Sequence, residues 1–204
     1  MGKAEKIKEL FLRVYQKNIH RLGADTMLAW LESSGFFEAP ASTKYHLAHL
    51  GGLAEHSLNV WRKLQEFVIR DMESTIPRCQ VCLPPDLADT VAVLGLLHDV
   101  CKVGVYHKAD PFKAAPENKL DPYTFRDPFP LGHGEKSLFQ ITRHMALTEE
   151  EALAIRWHMG AYDDAVKGGS RSMTEAMKLT PWVWRLQEAD MCAAWIDERI
   201  GAEV

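Results

Sequence analysis

The chain has 204 residues, which is long enough for one compact domain with a substantial buried core. With 47% hydrophobic and 25% charged residues, its composition is that of an ordinary globular protein. A net charge of −4 argues against broad electrostatic capture of nucleic acid, so we expect no strong nucleic-acid footprint. Its apolar runs are too short to span a bilayer, and residues 1–10 lack the apolar stretch of a secretory leader. We therefore predict a cytoplasmic protein without membrane attachment.

Apolar residues recur at helical spacing along nearly the whole chain, and we find no convincing pair of alternating strands. This pattern predicts an all-α fold, a single-domain helical bundle. Several helix starts carry capping residues: Asp25, Thr148 with Glu151 three residues later, and Thr180 before Pro181. The predicted helices cover residues 3–20, 25–34, 86–102, 134–145, 148–158 and 181–200, with a further long helix that begins near residue 51.

Two segments between these helices stand out by composition. Residues 103–131 are rich in proline and aromatic residues and are too many for a simple connector, whereas residues 160–172 contain glycines and are predicted as a flexible loop that could border a pocket. A lone C-x-x-C motif, Cys79 and Cys82, lies in a Pro-flanked loop. Because the two further ligands of a structural zinc site are missing, we interpret these cysteines as reduced thiols.

The predicted helix over residues 86–102 is apolar on nearly every side, which is typical of a central, buried helix. His98 and Asp99 lie near its C-terminal end. A buried, charged aspartate needs a cation or several hydrogen bonds. Lys102 follows His98 by four residues and Asp99 by three, so on a helix it would lie beside both.

Four histidines and two aspartates, each on or at the end of a predicted helix, recur in an order typical of one metal site. Each of them alone has a commoner structural explanation. Together they favour a site, because His98 and Asp99 follow a buried apolar run and the stretch after Asp190 turns that helix inward. Imidazole nitrogens and carboxylate oxygens suit borderline transition metals. The six candidates are His56, His98, Asp99, His133, His158 and Asp190.

The sequence also bears on whether other histidines could join this site. His144 is too far along its predicted helix from His133 to share an ion with it. His46 and His49 precede the helix of His56 and could either face a pocket or pack in the core; the sequence leaves this open.

Five segments in this order resemble the HD superfamily of metal-dependent phosphohydrolases. They are residues 51–56 (GGLAEH), 96–102 (LLHDVCK), 132–137 (GHGEKS), 156–158 (RWH) and 188–190 (EAD). The layout is similar to that of small stand-alone HD proteins of bacteria and phages, and its opening string resembles the HD domain of certain 3′-to-5′ exoribonucleases. The resemblance implies an HD domain over residues 45–200, with residues 1–44 as an N-terminal helical extension packed on the core.

The resemblance also implies one or two divalent transition-metal ions, of iron, manganese, zinc or nickel, with magnesium as a further possibility. One ion would be held by His56, His98, Asp99 and Asp190. Asp99 would bridge to a second ion at His133 and His158, and a site with the first ion alone stays open. The residues after His158 lack the Gly-Tyr-Pro signature of the cyclic-dinucleotide branch, which argues against cyclic di-GMP hydrolysis.

The activity implied is cleavage of a phosphate ester or anhydride, in a nucleotide, by attack of metal-bound hydroxide. Asp99 and Lys102 are the expected catalytic residues. The predicted substrate contacts are Lys102, Lys136, Arg156, Tyr106 and His107.

Three other functions remain open. They are a 3′-to-5′ nuclease or phosphodiesterase on short oligonucleotides, a di-iron oxygenase of the HD-like type, and a binding module with a structural metal. The expected partner is a phosphorylated small molecule. A homodimer is also possible, because Trp182, Trp184 and Trp195 could form either core or a dimer face.

Overall fold

The computed structural model describes residues 2–73, 83–109 and 122–200. The Cys79–Cys82 pair and residues 110–121 of the Pro- and aromatic-rich segment lie outside this part of the chain. In the described part, helices dominate and one small sheet is present, so the predicted all-α bundle is confirmed. The helices are α1 (Lys3–Asn18), α2 (Ala24–Ser33), α3 (Gly52–Glu73), α4 (Pro85–Leu97), α5 (His133–Thr142), α6 (Glu149–Trp157), α7 (Asp164–Lys167), α8 (Ser172–Leu179), α9 (Trp182–Cys192) and α10 (Glu198–Ile200).

Helix α4 is the central element of the bundle. All seven residues from Val91 to Leu97 are buried, and the helix packs against α1, α3 and α6. Gly95 allows the close crossing with α3, because a Cβ atom there would collide with the backbone of Trp61. This crossing brings the first turns of α3 next to the C-terminal end of α4. Helix α9 packs against both α3 and α6 and closes the bundle.

The N-terminal helices α1 and α2 contribute to the same hydrophobic core as α3 and α4. Phe11, Tyr15, Met27 and Leu31 are almost completely buried within it. The Arg21 guanidinium between α1 and α2 pairs with Glu151 of α6 and Asp89 of α4. No helix in the described ranges is long and apolar enough to cross a membrane.

The prediction of one helix over residues 86–102 is wrong at its C-terminal end. Helix α4 ends at Leu97, and residues Val100–Lys102 form a 3₁₀ turn after Asp99. In this turn the Cys101 amide donates to Ser137 Oγ of α5 at 3.2 Å. His98 and Asp99 therefore lie at the junction of two helix types.

The expectation that the chain lacks a strand pair is also wrong. Strands β1 (Tyr106–Lys108) and β2 (Tyr123–Phe125) form an antiparallel pair in which Tyr106 is opposite Phe125. Each strand has only three residues, which is too short for an alternating pattern to be recognisable in the sequence. The predicted loop over residues 160–172 likewise contains a 3₁₀ turn at Gly160–Tyr162 and the short helix α7.

The predicted caps have different outcomes. The capping box of α6 is confirmed, since the Glu151 amide donates to Thr148 Oγ1 at 3.2 Å and the Thr148 amide donates to Glu151 Oε2 at 2.9 Å. Asp25 is not an N-cap, because Gly23 takes that position in front of α2. Helix α9 begins one residue later than predicted, with Pro181 at the cap.

The last predicted helix, over residues 181–200, is interrupted. Helix α9 ends at Cys192, a π-helical turn spans Ala193–Asp197, and α10 begins at Glu198. A π turn has no sequence signature that a periodicity search would detect, so the pattern predicted a continuous helix.

Candidate metal centre

Five separate elements deliver the six predicted donor residues to one place in the bundle. His56 lies in the second turn of α3, His98 and Asp99 follow α4, His133 begins α5, His158 follows α6, and Asp190 lies in α9. The neighbouring histidine rings are 5.0–5.4 Å apart between centroids, in the order His56, His98, His158, His133. The structure thus brings together residues that are up to 134 positions apart in the sequence.

A close contact between α5 and α6 positions the last two of these histidines. Gly134 lies directly against the Arg156 carbonyl, where a Cβ atom would collide with that oxygen. This approach brings the ring of His133 to 5.1 Å from that of His158. A larger residue at position 134 would push the two helices apart and separate the rings.

Three of the histidines are held by hydrogen bonds from their Nδ1 atoms. His98 Nδ1 donates to the Gly95 carbonyl at 3.1 Å, and His158 Nδ1 donates to the Ile155 carbonyl at 2.7 Å. His56 Nδ1 donates to Glu198 Oε1 at 2.9 Å. Because carbonyl oxygens can only accept, the rings of His98 and His158 carry hydrogen on Nδ1. Histidines that bind metals are commonly oriented in this way by an outer partner.

The Nε2 atoms of His98 and His158 point inward, where they are buried and have no hydrogen-bond partner among the described residues. Leaving a buried polar atom unpaired is costly, so two such atoms facing the same centre need an explanation. A cation bound near each of them would satisfy both. The donor set therefore fits a transition-metal ion, on an observation independent of any sequence resemblance.

Asp99 stands between two pairs of histidines. Its Oδ1 lies 2.7 Å from His133 Nε2 and 3.5 Å from His158 Nε2. Its Oδ2 lies 3.5 Å from His56 Nε2 and 3.6 Å from His98 Nε2. Two nitrogen or oxygen ligands of one ion, each about 2.1 Å from it, lie about 3–3.5 Å apart. The two oxygens of one carboxylate thus face different pairs of donors at separations close to those of metal ligands.

Asp190 lies closest to the His56 side of this arrangement. Its Oδ1 lies 3.1 Å from His56 Nε2 and 4.0 Å from His98 Nε2. One group therefore consists of His56, His98, Asp190 and Asp99 Oδ2, and the other of His133, His158 and Asp99 Oδ1. Among the six candidates, three sets of donor atoms are close enough to share an ion: His56, His98 and Asp99; Asp99, His133 and His158; and His98, His158 and Asp190. Asp190 therefore also lies within reach of the His98–His158 pair.

Electrostatics keep the carboxylates charged. Burial alone would raise the pKa of Asp99, but Lys102 and His98 hold it well below the usual range. Lys102 Nζ lies 2.6 Å from Asp99 Oδ2. Burial likewise opposes ionisation of Asp190, yet His56 lowers its pKa. Both aspartates are therefore available as anionic ligands at neutral pH.

The histidines differ in protonation. Burial lowers the pKa of His98 to about 3, so its imidazole is neutral. For His56 burial acts in the same direction, but Glu198 and Asp190 raise its pKa to about 10. Burial is also outweighed at His133, where Cys101 and Asp99 raise the pKa to about 10. An ion bound at Nε2 of His56 or His133 displaces a proton there, so metal affinity should rise with pH up to about 10.

Two neighbours of the centre were not identified as site residues from the sequence. Glu198 has a side chain only 1% exposed and contacts His56, and His46 has its ring centroid 5.0 Å from that of His56. The structure places His46 beside the centre, whereas His49 pairs with Glu55 away from it. The sequence left open whether His46 faces the site or packs in the core. It gave no indication of Glu198, because the π turn changes the face of the helix on which Glu198 lies.

The three cationic residues predicted to contact phosphate differ in their distance from the centre and in their ion-pair partners. Lys102 is beside Asp99, inside the centre. Lys136 is buried, and its Nζ lies 2.6 Å from Asp127 Oδ1. Arg156 pairs with Asp163 at 2.7 Å and with Glu135 at 2.5 Å. The charges of Lys136 and Arg156 are thus already matched by carboxylates.

The other two predicted substrate contacts lie on β1. Tyr106 is partly buried, and its ring centroid lies 5.9 Å from that of Phe125. Burial raises the pKa of Tyr106, although Lys102 acts in the opposite direction. His107 is exposed on the hairpin.

Three side chains of the centre are partly exposed to solvent. The side chains of His133, Asp190 and Lys102 are 30%, 17% and 12% exposed, whereas those of His56 and His158 are at most 1% exposed. A cavity of about 80 Å³ adjoins His133 and is also lined by Glu135, Asp163 and Asp164. A larger cavity of about 360 Å³ lies between α3, α4 and α9 and contains none of the six donors.

The surface of the last helices carries large apolar side chains. Trp184 and Trp195 are 55% and 50% exposed, while Trp182 is partly buried against the core. The homodimer stays a prediction.

Comparisons with known proteins do not add to this description. No protein-family model matches the chain, and neither the curated proteins nor the solved structures searched contain a match.

Proposed function

We propose that this chain is a metal-dependent phosphohydrolase of the HD type, which cleaves a phosphate ester or anhydride in a nucleotide. The observation that carries the proposal is the position of Asp99, whose two oxygens face two different pairs of histidines. A carboxylate that can bridge two cations, with histidines on both sides, is an arrangement that suits two-metal hydrolysis.

The chain's own residues have distinct roles in this proposal. His56, His98, Asp190 and Asp99 would hold one ion, and His133, His158 and Asp99 the other. Divalent ions held in this way lower the pKa of water and neutralise the charge of a phosphoryl group. The hydrogen bonds at Nδ1 of His98 and His158 fix the orientation of the two rings. The rings are therefore already oriented for metal binding.

Lys102 supports phosphoryl chemistry in particular. Its ammonium is beside Asp99, and its side chain is 12% exposed. A fixed positive charge at this position would stabilise negative charge that develops on the non-bridging phosphoryl oxygens. Burial alone would lower the pKa of Lys102, but Asp99 raises it, so the charge persists at any physiological pH.

A nucleotide is favoured by the aromatic pair of the hairpin. Tyr106 follows Lys102 by four residues, and the Phe125 ring that it contacts is 63% exposed. A base could stack on this exposed ring while the phosphates meet Lys102 and the centre. The chain's net charge of −4 favours a small nucleotide over a long nucleic acid.

The test is phosphate release from a panel of nucleoside mono-, di- and triphosphates, cyclic nucleotides and short oligonucleotides, assayed with manganese, iron or zinc. We expect turnover of at least one mononucleotide, lost with a chelator and restored by added metal. Lys102→Gln should lower kcat by about 10²–10³-fold while metal content is retained. Lys178→Gln is the matched control, because Lys178 is exposed on α8 and pairs with Glu175.

Two outcomes would contradict the proposal. One is a metal-loaded protein that releases no phosphate from any member of the panel, especially if its iron-loaded form consumes oxygen. The other is an unchanged rate in Lys102→Gln, which would show that Lys102 does not stabilise charge on the phosphoryl group.

A further inference from the structure

Glu198 makes a buried contact with the outer side of His56. Its Oε1 accepts a hydrogen bond from His56 Nδ1 at 2.9 Å and another from Asn59 Nδ2 at 3.0 Å. The side chains of Glu198 and His56 are each 1% exposed. His56 is therefore held from both sides, by Glu198 at Nδ1 and by the inward-facing carboxylates of Asp190 and Asp99 at Nε2.

The π turn explains how α9 and α10 supply two carboxylates to the same ring. An α-helix turns about 100° per residue, so eight residues of regular helix would leave Asp190 and Glu198 about 80° apart around the axis. The π turn at Ala193–Asp197 takes up one extra residue, which reduces this difference to about 20°. Asp190 and Glu198 consequently share one face and reach opposite nitrogens of His56.

Electrostatic balance indicates that this contact serves the centre. Asp99, Asp190 and Glu198 place three carboxylates in buried or nearly buried positions around His56. Lys102, 2.6 Å from Asp99, offsets part of this negative charge, and a cation in the centre would offset more of it. The Oε2 atom of Glu198 is buried and has no hydrogen-bond partner among the described residues, which argues against a role confined to local hydrogen bonding.

We propose that Glu198 is a positioning residue of the metal centre, which fixes the His56 ring with Nε2 directed at Asp99 and Asp190. The inference rests on the proposed metal centre but not on the proposed reaction. A carboxylate that accepts from Nδ1 keeps the proton on that atom, leaves Nε2 for the ion, and makes the ring a better donor. Glu198 thereby acts on the metal through His56 and does not need to touch it.

The experiment measures manganese and zinc dissociation constants by competition with a chromophoric chelator. Glu198→Ala should weaken the binding of the ion at His56 and His98 by about 10–100-fold. Glu198→Gln should weaken this binding less, because the amide oxygen can still accept a hydrogen bond from His56 Nδ1. Asp197→Asn is the matched control: this neighbouring acid pairs with Lys63 and should leave the affinity unchanged.

A second readout separates positioning from stability. In metal-free ¹⁵N-histidine-labelled protein, measured above pH 10 where the His56 ring is neutral, the His56 signals should show Nδ1 protonated in the wild type and in Glu198→Gln. Glu198→Ala should show a mixture of the two tautomers. A purely structural role would lower the melting temperature of the metal-free variant without changing either the tautomer or the affinity.

The outcomes distinguish this inference from the proposed function. Wild-type metal affinity in Glu198→Ala would overturn the positioning role and leave the function intact. A protein that binds metal and loses affinity in Glu198→Ala, but hydrolyses no nucleotide, would support the positioning role and overturn the function. A wild-type protein that binds no metal would overturn both.

Discussion

Replacing Asp99 with asparagine is expected to abolish metal-dependent turnover, lowering kcat by about 10³-fold or more. Asparagine has nearly the same shape but offers one neutral oxygen, so it cannot serve the histidine pairs on both sides. The variant should therefore lose most of its bound metal. Metal content after dialysis and phosphate release from the best nucleotide of the panel measure the two effects.

The same substitution is expected to destabilise the metal-free protein. Asp99 is 3% exposed and is the partner of Lys102 at 2.6 Å, so its removal leaves a largely buried ammonium without its counter-charge. Breaking such a pair costs about 3 kcal/mol in the free energy of unfolding. Denaturant titration of the chelator-treated protein should show this loss.

The double variant Asp99→Asn, Lys102→Gln is the control that separates the two effects. Removing both charges should restore most of the stability, because the unpaired ammonium is gone. It should not restore metal binding, since the bridging carboxylate is still missing. An Asp99→Asn variant with wild-type metal content and rate would show that Asp99 is not a ligand.

Replacing His158 with glutamine is expected to reduce the metal content from two ions to one and to lower the rate by about 10²-fold or more. His158 Nε2 faces Asp99 Oδ1, together with His133 and apart from His56. The ion between His56 and His98 should consequently remain. His98→Gln should remove that ion instead, so the two variants report on different halves of the centre.

His144→Gln provides the matched control for these histidine substitutions. His144 stacks on Trp30 at 5.4 Å, away from the centre. Its replacement should change neither metal content nor rate. A wild-type protein that holds one ion, with the same content in His158→Gln, would contradict the two-ion arrangement and favour the mononuclear alternative.

The sequence was informative where a buried polar residue conflicted with its surroundings. His98 and Asp99 follow a run of buried apolar residues, and this conflict alone indicated a bound cation or a dense hydrogen-bond network. The capping box of α6 was predictable for another reason, since Thr148 and Glu151 are three residues apart and interact locally.

Interactions that depend on tertiary structure could not be predicted in this way. Glu198 contacts His56 across 142 positions of sequence, and only the π turn brings it to that face. Lys136 pairs with Asp127, and Arg156 pairs with Glu135 and Asp163. The sequence did not indicate that these carboxylates already match the two positive charges that were predicted to bind phosphate.

The most direct test of the central claim is anomalous diffraction from crystals grown with manganese, measured at the manganese absorption edge. The account predicts a peak about 2.0–2.3 Å from Nε2 of His56 and His98, and a second peak at His133 and His158, with Asp99 between them. A map with no anomalous peak among these side chains, from protein saturated with manganese, would contradict it.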